Sequence, residues 1–125
     1  MMYTAGSEHP FKARSVAFLE RVAEGSIEAA IDAEALQEIL HRYRALNRWI
    51  EGRRLYERVR TLFPAVIPIT GEILDRAKIL LDQHTELMAR DALHAAVVES
   101  HRLEGICSFD LDFDRIRSIR RIEPP

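Results

Sequence analysis

The stretch from Ala89 to His101 constrains this chain more than any other. Ala92, Leu93, Ala95, Ala96 and Val97 place apolar side chains on almost every face of one helix. A helix that is apolar nearly all round is a buried one, so the rest of the chain must fold around it. Arg102 to Gly105 forms its stop, and the apolar run Ile106 to Phe109 that follows predicts a strand.

The other segments alternate in the same way. Pro10 followed by Phe11, Val16, Phe18, Leu19 and Val22 predicts a first helix, with Gly25 just beyond its end. Ile27 to Ile31 predicts a short strand, and Asp32 is placed to cap a helix carrying Leu36, Ile39, Leu40 and Tyr43 on one face. Trp49 to Phe63 predicts a further helix, ended by Pro64. Val66 to Ile69 predicts a strand that Pro68 assigns to an edge, and Thr70 caps a helix through Ile73, Leu74, Ala77 and Leu81. Ile119 to Ile122 completes the pattern as a fourth strand. Helices alternating with short apolar strands indicate an α/β fold, a three-layer sandwich with a mostly parallel sheet flanked by helices. At 125 residues, 47% of them hydrophobic, the chain is expected to be a single domain over residues 1–125.

Composition narrows the classes further. No apolar run approaches the ~20 residues needed to cross a bilayer. Met1 to Pro10 lacks the basic and apolar regions of a secretory signal. The one cysteine, Cys107, cannot form an internal disulfide, and in its apolar run it is expected to be a buried, inert thiol. A cytoplasmic protein without a membrane partner is expected. The net charge of −2 does not mark a nucleic-acid binder, but the positive charge is almost all arginine, the only lysines being Lys12 and Lys78. One arginine cluster comprises Arg42, Arg44, Arg48, Arg53, Arg54, Arg58 and Arg60; another comprises Arg115, Arg117, Arg120 and Arg121. Such forks suit phosphate oxygens, and they equally suit a solvated helix face interrupted by Glu51 and Glu57.

The acids are more informative. In folds of this class, ligands bind along the carboxyl edge of the sheet, where helix N-termini lie. Glu38 falls in the second turn of the helix after the first predicted strand. Asp91 falls in the first turn of the buried helix, and Asp110 comes straight after the strand ending at Phe109, with Asp112 and Asp114 close behind. Three segments therefore bring carboxylates to one edge. Two like charges ~4 Å apart repel by about 4 kcal/mol at an effective dielectric of 20. A hard divalent cation relieves that repulsion, and carboxylate oxygens with water are what Mg²⁺ or Mn²⁺ prefers.

Plainer readings stand beside this one. Glu38 can pair with Arg42 at i,i+4 spacing, and Asp91 can answer the helix dipole. Asp91 is the harder to dismiss, because its neighbours belong to a buried helix. Asp110, Asp112 and Asp114 begin like a calcium loop, but Arg115 stands where glycine is required and Arg121 where glutamate is required. His94 reads as a core histidine and Glu34 as a surface charge. There is no H-E-x-x-H, no C-x-x-C and no phosphate-binding glycine loop.

Three segments occur in order: A-L-Q-E-I-L-H-R-Y from Ala35 to Tyr43, R-D-A-L-H-A-A-V from Arg90 to Val97, and S-F-D-L-D-F-D from Ser108 to Asp114. Together with M-Y-T-A-G-S-E-H-P from Met2 to Pro10, they closely resemble the VapC-like PIN-domain ribonuclease toxins over essentially the whole chain. The resemblance implies about five parallel strands flanked by helices, and Mg²⁺- or Mn²⁺-dependent endonucleolytic cleavage of RNA. It also implies a homodimer restrained by a cognate antitoxin protein in a type II toxin–antitoxin system. Carried over by motif, Glu38, Asp91 and Asp110 match the second, third and fourth acids of the family, and Asp114 a further acid that assists. Asp91 and Asp110 are thereby expected to be metal ligands, with Glu38 a ligand or the group that orients the attacking water.

One departure stands out. The family's first strand ends in an aspartate within a D-[ST]-N motif, ahead of the part that matches Met2–Tyr3, so this first strand is expected to be missing from the chain as given. A start codon assigned too late accounts for it, since the remaining acids are present. A catalytically impaired module that binds antitoxin or RNA without cutting is the alternative. An unrelated α/β domain with surface acids is a third reading.

Overall fold

The computed structural model describes residues 12–107, 113–114, 116 and 119–122. In chain order the elements are α1 (Lys12–Ala23), β1 (Ile31–Asp32), α2 (Ala33–Ala45), α3 (Trp49–Leu62), β2 (Val66–Ile67), α4 (Gly71–Gln83), α5 (Ala89–Ser100), β3 (Ile106–Cys107) and β4 (Arg121–Ile122). All five predicted helical segments are present. The strands among the described residues are shorter than expected: Ile27–Ile31 narrows to Ile31–Asp32, and Val66–Ile69 to Val66–Ile67. Ser108 and Phe109, the rest of the third predicted strand, lie outside the described residues.

The chain divides into two compact units, one running to Ile67 and the other beginning at Pro68. In the first, β1 and β2 pair in parallel, Ile31 opposite Val66 and Asp32 opposite Ile67, with α2 and α3 forming the crossover. Parallel neighbours require such a long connection. Its core is Ile31, Leu36, Ile39, Tyr43, Leu55, Val59 and Phe63, joined by Leu19 and Val22 of α1. Leu36, Ile39 and Tyr43 follow the three-to-four spacing that gives α2 one apolar stripe, and Gly52, Leu55 and Val59 do the same for α3.

In the second unit α4 packs along α5. Ile73, Ala77 and Leu80 are buried on α4, and Ala92, Ala95, Ala96, Val97 and Val98 on α5, so the expectation of an enclosed helix holds. Arg76 of α4 reaches Glu99 of α5 through two hydrogen bonds, of 2.5 and 3.1 Å. β3 and β4 pair in parallel, Ile106 opposite Arg121 and Cys107 opposite Ile122. Gly105 precedes this ladder because a Cβ there would meet the Arg120 carbonyl oxygen at 2.3 Å, the same oxygen that accepts the Ile106 N–H at 2.9 Å. Both strand pairs are parallel, in line with the expected sheet, and among the described residues they form two separate two-stranded ladders.

Candidate active site

The first acid is positioned by a strand that passes directly into a helix. Asp32 is both the last residue of β1 and the N-cap of α2, and its Oδ1 accepts the Ala35 N–H at 2.9 Å. It is 7% exposed, the one buried charged residue among the described residues. The cap satisfies a helix-end N–H that burial would otherwise leave costly. With no loop between strand and helix, Glu38 follows in the second turn, half-buried beside the core residue Ile39. Glu34, one turn earlier, is also half-buried rather than the fully exposed charge expected.

Asp91 lies in the first turn of α5, where no side chain caps the helix. Its carboxylate therefore sits at the positive end of the helix dipole. It is half-buried, as is His94 one turn later on the same face. Asp110 lies outside the described residues, as does Asp112. Asp114 is exposed, and its Oδ1 accepts a hydrogen bond from Arg121 Nε on β4 at 2.9 Å. Phe113 and Ile116, 3% and 2% exposed, anchor the chain on either side of it. The Arg121 side chain is itself only 14% exposed.

Glu38 belongs to the first unit and Asp91 and Asp114 to the second. Among the described residues no three metal-ligating side chains form a group. The donor chemistry nevertheless suits a hard cation: Glu38 and Asp91 offer half-buried carboxylate oxygens beside α2 and α5. A soft-metal alternative finds no support at Cys107, where the expected buried thiol is corrected. The residue is exposed, while the atoms around it still desolvate the sulfur and push its pKa up, so it is no activated thiolate.

Sequence reasoning identified Asp32 as a cap but not as a buried acid; its place at the end of an apolar run was the available signal. It missed Arg121 as the partner of Asp114, since seven residues of irregular chain separate them and no local rule pairs them.

A family model described as the PIN domain matches residues 1–119. The VapC ribonuclease Mb1869c of Mycobacterium bovis and ribonuclease VapC13 of Mycobacterium tuberculosis are each 36% identical to the chain over 121 residues, covering 97% of it and 92% of their own length. Ribonuclease VapC23 of Mycobacterium tuberculosis is 31% identical over 109 residues, 87% of this chain and 86% of that protein. No solved structure matches. The chain thus belongs to the PIN-domain family and is VapC-like within it.

Proposed function

We propose that this protein is a metal-dependent endoribonuclease, the toxin of a type II toxin–antitoxin pair, acting in the cytoplasm as a single PIN-like domain over residues 1–125. Its substrate is RNA, its protein partner a cognate antitoxin, and its working form a homodimer. The observation that carries the reading is the setting of the two described acids. Glu38 and Asp91 are both half-buried near helix N-termini, one directly after β1 and the other on the enclosed helix that leads into β3. Relatives named ribonucleases across nearly the full chain support the polymer.

In this reading Asp91 and Asp110 hold Mg²⁺ or Mn²⁺, with Asp114 assisting. A cation held so lowers the pKa of a bound water and neutralises charge on a phosphodiester. Glu38 contributes a further ligand oxygen, or its Oε atoms accept a hydrogen bond from the attacking water and fix its direction. The strand-to-helix join at Asp32 keeps that carboxylate's backbone in a fixed register with β1.

Titration calorimetry of the full chain with Mn²⁺, run beside cleavage of a fluorogenic RNA, tests this. Asp91→Asn and Glu38→Gln should each weaken Mn²⁺ binding by at least about tenfold, a size that even outer-shell partners of a metal produce, and reduce cleavage with it. Unchanged Mn²⁺ affinity in both variants would refute the proposal.

A further inference from the structure

The positive charge of this chain is concentrated where the metal reading makes no use of it. Between Arg42 and Arg60 there are seven arginines and two glutamates, in a chain whose net charge is −2. Both glutamates are already engaged: Glu51 by Arg48 through two contacts, and Glu57 by Arg53 at 3.2 Å. Arg60 turns back to the carbonyls of Phe63 and Pro64. The remainder stays uncompensated. Arg54 and Arg58 stand one turn apart on α3, both exposed, on the side away from the buried stripe of Gly52, Leu55 and Val59. Neither makes an ion pair with any of the described residues. Like charges at this spacing weaken an isolated helix by about 0.2–0.5 kcal/mol, so the pair is there at a cost unless an anion meets it.

The same ridge carries a flat surface. Arg44 lies over the Trp49 ring with its guanidinium carbon 5.0 Å from the centroid. Leu46 and Ile50 beside it are 51% and 67% exposed, and a shallow hollow is lined by residues from Asn47 to Glu51. Arg42, also exposed, is one turn beyond Glu38 on α2. An acidic peptide would meet the charges but has no use for a guanidinium stacked on an indole. A single-stranded nucleic acid uses both, phosphates on the arginine forks and bases on the aromatic and guanidinium planes.

We propose that the α2–α3 ridge is a docking surface for single-stranded RNA, with Arg54 and Arg58 holding backbone phosphates and the Arg44–Trp49 stack receiving a base. It rests on the ribonuclease reading only for the choice of RNA, and it can fail or succeed separately from it.

The test is fluorescence anisotropy of the full chain with a labelled single-stranded RNA of about 20 nucleotides, longer than the roughly 4–16 nucleotides that one binding site of this kind covers. It is run in EDTA so that nothing is cut, across a series of KCl concentrations. Each phosphate contact on a single strand contributes about 0.7 to the slope of log K against log salt. The double variant Arg54→Gln/Arg58→Gln should therefore bind more weakly with a slope shallower by about 1.4. Arg54→Lys/Arg58→Lys should keep the parent slope, which separates charge from misfolding. Trp49→Leu should lose fivefold or more in affinity, the low end for one stacked base, with the slope unchanged. Parent-like affinity and slope in the glutamine variant would overturn the proposal, as would a poly-glutamate peptide whose binding needs Arg54 and Arg58 when RNA binding does not. RNA binding of the expected kind by a parent chain that never cuts RNA with Mn²⁺ would support the ridge and sink the nuclease.

Discussion

The crossing of α2 and α3 turns on one residue. Gly52 lies on the buried stripe of α3, and a Cβ added there would sit 2.3 Å from Tyr43 Cβ and 2.8 Å from its Cγ. Carbon atoms in ordinary contact stand about 3.5–4.0 Å apart, so the methyl would be more than an ångström too close. Both offending atoms are held by backbone, so neither can swing aside, and the helices must separate. Overpacking of this kind costs about 1–3 kcal/mol, and with no side chain free to yield the upper end applies. Against it, alanine in a helix interior is favoured over glycine by about 1 kcal/mol. Gly52→Ala should therefore destabilise by about 2 kcal/mol net, lowering the melting temperature by roughly 5–10 °C for a chain of this size. Gly71, the first residue of α4, is the control: nothing lies within 4 Å of its added Cβ. Gly71→Ala should be neutral or stabilising by up to about 1 kcal/mol. Thermal and urea melts followed by circular dichroism read both. A Gly52→Ala protein as stable as its parent would mean that the helices do not cross this closely.

Other perturbations give distinct signs. Glu99→Gln removes one partner of the Arg76 pair; with the Arg76 side chain 36% exposed, solvent tempers the loss to about 1 kcal/mol, read as a lower urea midpoint. Arg76, its pKa raised first by the hydrogen bond to Glu99, stays charged throughout. Burial raises the Tyr43 phenol above its ordinary 10.0, so the fold favours the neutral form. Its contribution is whole below about pH 10 and is lost as pH climbs through the raised value; tyrosinate absorbance should show one late-ionising phenol, absent in Tyr43→Phe. Desolvation likewise raises Cys107 above 9.0. Its alkylation by iodoacetamide should reach half-maximal rate at a higher pH in the folded chain than in the same chain unfolded in urea, and equal midpoints would refute this.

The helices were legible because their signals are local. Asp32 and Thr70 cap α2 and α4 as their side chains allow, Thr70 accepting the Ile73 N–H at 3.3 Å, and the apolar spacing of each helix matches the stripe it buries. Strand lengths were less legible, because a ladder ends where its partner does. β2 lies between Pro64 and Pro68, and Pro68 has no N–H to extend the pairing past Ile67. That limit passes through the register to β1, which stops at Asp32 opposite Ile67 whatever the apolar run Ile27–Ile31 suggests. Arg76–Glu99, 23 residues apart, and Arg121–Asp114 had no local signal at all, since only the packed fold brings them together.

The one-residue shift of β1 has a consequence for the acid site. With the strand ending at Ile31, a short turn would separate it from α2 and leave the helix free to rotate relative to the sheet. Because the strand's last residue is itself the cap, its carboxylate binds the Ala35 N–H while its backbone stays in the ladder opposite Ile67. Strand and helix then share one residue. Glu38 lies six residues further on, about 9 Å along the axis at 1.5 Å per residue. Its position is set by regular structure throughout, with no loop conformation intervening. A group that must hold a cation or aim a water within about half an ångström needs that kind of mounting. The burial of Asp32, a residue with no assigned part in the chemistry, is what supplies it.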